Sequence, residues 1–73
     1  MILGLDISTS ITGYAIVDYD GTIIKVDSWD LRHKPTFPDL YSKILYCRER
    51  LRDISFCYAI DHIYIEPALN MFM

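Results

Sequence analysis

The sequence predicts an α/β fold of order β-β-β-α-β: a three-stranded antiparallel meander, one helix, and a parallel fourth strand. Three observations predict it. Residues 1–7 form a near-continuous apolar run closed by Asp6 and Ile7, the pattern of a strand buried on both faces. Asp20-Gly21 separates two β-rich segments, and Asp-Gly is among the strongest hairpin signals. A single stretch of helical period then leads into a short apolar run that ends at Glu66-Pro67.

Length and composition bound the rest. Seventy-three residues hold one small domain. With 52% hydrophobic and 23% charged residues, the chain is neither a disordered tail nor a low-complexity linker. It is short enough to bury only about 60% of its unfolded surface. Its 2 cysteines, Cys47 and Cys57, form no disulfide framework and lack zinc-site spacing, which fits a reduced, cytoplasmic protein. No run reaches membrane-span length, and no signal peptide is visible. The net charge of −3 argues against strong nucleic-acid binding by this chain alone, because phosphate contacts supply most of such affinity.

The elements follow in order. After the first strand, Ser8-Thr9-Ser10 favours a turn. Residues 12–18 form the second strand and residues 22–29 the third, with Ile24, Val26 and Ser28 on one face and Ile23, Lys25, Asp27 and Trp29 on the other. Trp29 is expected to pack at the end of that strand. Residues 31–37 lack periodicity and form a loop. Thr36 and Asp39 fit a capping box, with Pro38 tolerated in the first turn. The helix then runs from residue 39 to about 54–56, with Leu40, Ile44, Cys47, Leu51 and Ile54 in one apolar stripe. Arg50 and Arg52 fall toward its C-terminal end, where the dipole favours cations. Residues 58–65 form the fourth strand, stopped by Pro67. Residues 68–73 have no assignment.

Two carboxylates stand out by position. Asp6 ends the first strand and Glu66 the last. If these strands are adjacent and parallel, both acids leave the sheet at one edge, about 5 Å apart. Such a pair repels itself and invites a divalent cation with oxygen ligands, Mg²⁺ or Mn²⁺. Acids that simply meet water at strand ends are the plainer alternative. His62 reads as a surface or internally satisfied histidine and Cys47 as a small core residue; Arg32, His33 and Lys34 form a short basic loop.

Residues 3–15 (LGLDISTSITGYA) and 63–68 (IYIEPA) resemble RuvC-like Holliday junction resolvases of the ribonuclease-H-like superfamily. The resemblance implies a partial ribonuclease-H-like fold whose sheet pairs the first strand with the fourth. It implies a metal-dependent endonuclease hydrolysing a phosphodiester in branched DNA with two Mg²⁺ ions, Mn²⁺ substituting. Asp6 and Glu66 would be catalytic residues and metal ligands, two of the family's four acids. Ser8, Thr12, Arg32, Lys34 and Phe72 would touch DNA. Ile7-Ser8 stands where the family usually has Pro-Gly, which suggests a phage-type branch in a bacterial or phage-infected cell. The family's other acids lie further downstream than residue 73. The chain therefore reads as the N-terminal half of such a domain, a fragment or a natural truncation, inactive alone.

Two alternatives stay open. Residues 4–10 with residues 17–21 are similar to the first phosphate loop of sugar kinases and actin-like ATPases, where Ser8, Thr9, Ser10 and Thr12 would be phosphate ligands. A non-catalytic association module is the other. One helix covers only one face of a sheet, so a homodimer or higher oligomer is expected. It would bury the bare face, drawn from Ile2, Leu3, Leu5, Ile16 and Val17, or the fourth-strand edge.

Overall fold

The computed structural model describes residues 1–66. Its elements are β1 (Ile2–Asp6), β2 (Ile11–Val17), β3 (Ile23–Asp30), α1 (Leu40–Cys57) and β4 (His62–Ile65). They build a four-stranded mixed sheet of order β3-β2-β1-β4 with one helix. β1 pairs antiparallel with β2, which pairs antiparallel with β3, and β1 pairs parallel with β4.

The β2–β3 turn follows from its residue types. Gly21 takes φ 91°, a left-handed conformation that costs glycine nothing. Its N–H donates to the Asp18 carbonyl at 3.0 Å, and the Asp18 N–H donates to the Thr22 carbonyl at 2.9 Å. The register then shifts between Ile16 and Val17, leaving Ile24 as an extra residue in β3, a bulge at a sheet edge.

Strand alternation selects the core. Leu3 and Leu5 of β1, Thr12, Tyr14 and Ile16 of β2, and Trp29 of β3 are buried, joined by Leu31, Phe37 and Ile54. Trp29 lies in that core against Tyr14, ring centroids 5.1 Å apart. The expectation that β1 is buried on both faces is corrected. Its alternate residues Ile2 and Gly4 stay half-exposed, because the single helix lies over one face and no other described residue covers the second. The anticipated bare set divides accordingly: Ile2 and Val17 face that second side, whereas Leu3, Leu5 and Ile16 belong to the core.

The helix departs from the sequence reading in three ways. Its N-cap is Asp39, whose carboxylate accepts from the Ser42 N–H at 2.8 Å while the Ser42 hydroxyl closes the box. Thr36 is occupied elsewhere. Its hydroxyl lies 2.8 Å from His33 Nδ1, and the Thr36 and Phe37 N–H groups both donate to the His33 carbonyl. Pro38 accordingly stands just before the cap, where a missing N–H is harmless. The packed seam is also rotated. Ile54 is buried and Cys47 and Leu51 are half-buried, but Leu40 and Ile44 are 58% and 55% exposed. Phe37, buried in the connection before α1, draws in the flank bearing Tyr46 (edge-to-face, 5.1 Å), over which the Arg50 guanidinium lies. Finally, α1 continues to Cys57. This moves Arg50 and Arg52 out of the last turn and into i,i+3 pairs with Asp53 and Glu49.

Tyr58 ends the helix, its N–H donating to the Ile54 carbonyl. Residues 58–61 are a connection, so β4 starts at His62 rather than at Tyr58.

Candidate functional site

β1 and β4 carry their last residues to the same end of the sheet. Leu5 pairs with Ile65, and the Glu66 N–H donates to the Leu5 carbonyl at 3.0 Å. Glu66 therefore follows Asp6 in register, one strand spacing of about 4.8 Å away. By alternation Asp6 and Glu66 share the sheet face with Gly4 and Tyr64, opposite the core face. Both line one shallow depression of about 260 Å³ with Gly4, Gly13, Ala15 and Tyr64. Its floor is flat because Gly4, Gly13 and Ala15 stand side by side across β1 and β2.

The chain leaves β1 after Asp6 through a turn that Thr12 holds. The Thr12 hydroxyl donates to the Ser8 carbonyl at 2.9 Å and accepts from the Ser8 N–H at 3.2 Å. The Ser10 N–H donates to Ser8 Oγ at 3.1 Å. Thr12 is 1% exposed. Its hydroxyl, read from the sequence as a contact to DNA or to a kinase-type phosphate, is buried and engaged with both backbone groups of Ser8.

The other expected DNA contacts fall nearby. Ser8 is exposed on the turn. Arg32 forks onto Asp30, Nε to Oδ1 at 2.8 Å and Nη2 to Oδ2 at 2.7 Å. These guanidinium bonds, with the Arg32 N–H, hold the Asp30 carboxyl down to about 2. Lys34 and Arg32 line a second depression of about 360 Å³ with Thr9, Asp39 and Lys43, on the α1 side of the same end. Lys43 donates to the Thr9 carbonyl, a tie from α1 to the β1–β2 turn that no motif announced. Phe72 lies outside the described residues.

At the opposite end the structure gathers a polar cluster that sequence reasoning missed. The Tyr19 hydroxyl donates to Asp61 Oδ1 and lies 2.9 Å from His62 Nδ1. The Met1 ammonium stands 3.3 Å from the same carboxylate oxygen. The Tyr19 bond, then His62 and the ammonium, hold the Asp61 carboxyl down to about 2. The Asp61 carboxylate in turn pushes Tyr19 upward. Only the neighbouring positions Asp61 and His62 hinted at it; Tyr19 arrives through the hairpin turn.

The cluster carries a pH dependence. A carboxyl lower in the folded state than its ordinary value of 3.8 adds stability above that value and loses it as the pH falls toward about 2. The melting temperature should therefore drop between pH 5 and pH 2.5, and Asp61→Asn should reduce the drop by removing one of its sources, leaving the lowered carboxyls of Asp30 and Asp20. Thermal melts of both proteins at both pH values check this. Equal drops would assign the loss to other groups.

The carboxylate oxygens of Asp6 and Glu66 suit a hard divalent cation, which favours oxygen donors. Among the described residues no group of three His, Cys, Asp or Glu side chains is assembled, so the pair would fill only part of a coordination shell. No described helix is long and apolar enough to cross a membrane. No family model, curated protein or solved structure matches the chain.

Proposed function

We propose that this chain carries part of the active site of a RuvC-like Holliday junction resolvase, a Mg²⁺-dependent endonuclease acting on branched DNA within a ribonuclease-H-like fold. The observation that supports it best is the common end, face and depression of Asp6 and Glu66 on adjacent parallel strands. The order β3-β2-β1-β4 agrees with the fold that the resemblance implies.

In this reading Asp6 and Glu66 hold divalent cations through their carboxylate oxygens. Bound cations would supply an activated water and stabilise the charge that develops during phosphodiester hydrolysis. The chain's own residues do the positioning. The Thr12 brace sets the exit of Asp6 from β1, and the Glu66 N–H bond to the Leu5 carbonyl fixes the second acid beside it. Ser8 and Lys34, exposed at the same end, face the DNA backbone, while Arg32 reaches it only by leaving Asp30.

Two carboxylates leave most of a cation's shell to water, so binding by this chain is weak and cleavage of four-way junctions by it alone is expected to be negligible. Titration with Mn²⁺, followed by NMR, tests the shared site. Signals around Asp6 and Glu66 should broaden together, and Asp6→Asn should abolish both effects. Broadening around one acid only, or unchanged broadening in Asp6→Asn, would refute it.

A further inference from the structure

We propose that β4 pairs antiparallel with β4 of a second copy of this chain, in the register that sets Tyr64 against the partner's Tyr64. The proposal rests on the sheet edge and stands whether or not the nuclease reading does.

Among the described residues β4 is an outer strand of the sheet, and backbone alternation says which of its groups face outward. In a parallel pair, alternate residues turn both N–H and C=O toward the neighbour. The Glu66 N–H is turned to Leu5, and Tyr64 follows it by alternation. Ile63 and Ile65 therefore direct their N–H and C=O groups away from β1. An antiparallel partner centred on Tyr64 brings Ile63 opposite the partner's Ile65, both with outward groups, and two-fold symmetry forms every bond twice.

The side chains agree with this register on both faces. Ile63 and Ile65, 61% and 52% exposed, share the core face with Leu3 and Leu5 and would meet the partner's Ile65 and Ile63 there. On the other face Tyr64 meets its counterpart. His62, whose Nδ1 lies 2.9 Å from the Tyr19 hydroxyl, comes opposite the partner's Glu66. Each copy thereby sets an imidazole beside the acid pair of the other.

The β3 edge also exposes Ile23, Ile24 and Val26, but it is guarded. Lys25, Asp27 and Asp30 lie along it and its register is broken by the bulge, devices that discourage strand addition. β4 has no lysine, proline or bulge within residues 62–65.

Sedimentation equilibrium of the 73-residue chain at micromolar concentration should show a dimer, and disulfide trapping then reads the register. Both tests use a background of Cys47→Ala and Cys57→Ser, with circular dichroism confirming the fold. In Tyr64→Cys the paired Cα atoms lie about 4.5 Å apart, within disulfide reach. In Ile63→Cys the two copies of the residue are diagonal, roughly 7–8 Å apart and beyond easy bridging. Tyr64→Cys should cross-link as a dimer in a glutathione buffer and Ile63→Cys should not. A monomeric parent chain overturns the proposal. So does a dimer in which Tyr64→Cys stays unlinked, or in which Ile63→Cys links equally well.

Discussion

Ile16→Ala should leave the chain largely unfolded at 25 °C. Ile16 is 0% exposed in β2, an inner strand of the sheet, flanked by Leu3 and Lys25 in the register. Truncating a fully buried isoleucine removes its transfer free energy and leaves a cavity, about 2–5 kcal/mol together. A single core in a chain below about 70–80 residues rarely supplies more than about 3–5 kcal/mol. The loss therefore consumes most of the stability. Val17→Ala is the control, since Val17 is half-exposed on the opposite face and should lose no more than about 1 kcal/mol. Urea unfolding followed by circular dichroism compares them. An Ile16→Ala chain with a full native baseline and a near-parental midpoint would mean that the core is not where burial puts it.

Thr12→Val is the second large effect, and it separates a brace from a ligand contact. Valine keeps the shape of threonine but loses the hydroxyl that bonds both the N–H and the carbonyl of Ser8. The Ser8 N–H and carbonyl then lose their protein partner, at a cost of about 0.5–1.5 kcal/mol per bond. Amide exchange at Ser8 should quicken as well, because the turn after Asp6 loses its tie. Unchanged urea stability and unchanged exchange would show that Thr12 does not hold the turn.

Much of the architecture was legible because it rests on strong local signals. The Asp20-Gly21 turn needs one left-handed residue and has it. The alternation in residues 22–29 assigned Trp29 to a face opposite Val26, and Trp29 is buried while Val26 is exposed. Lys25 and Asp27 beside Trp29 are exposed as well, however, and the bulge turns Ile23, expected on the Trp29 face, to pair with Val17. The pairing of β1 with β4 came from the resemblance, since residue periodicity does not say which strands are neighbours. The helix was read less well, for two physical reasons. Its cap depended on which of two capable residues was already engaged, and His33 engages Thr36. Its buried seam depended on Phe37, a residue outside the periodic pattern that rotated the contact toward Tyr46. At the site, Asp6 and Glu66 were legible because an acid closing an apolar strand is conspicuous. The Thr12 brace and the Lys43 tie were not, as both act through backbone carbonyls that a sequence pattern does not display.

The parallel pairing of β1 with β4 also orders the folding of the chain. The meander is built from neighbours joined by short turns, whereas β4 returns to β1 only after β2, β3 and α1 have been traversed. Contacts of long sequence separation form late, because the entropy of closing the loop is lost before any bond repays it. β4 is also short, and each of its residues is more exposed than buried. It should be the last strand to dock and the first to detach, with amide exchange in β4 outpacing exchange in β2. Asp6 and Glu66 are then neighbours only in the fully folded state. A partly opened chain keeps its hairpins and loses the acid pair, so the pair reports on completed folding as well as on chemistry.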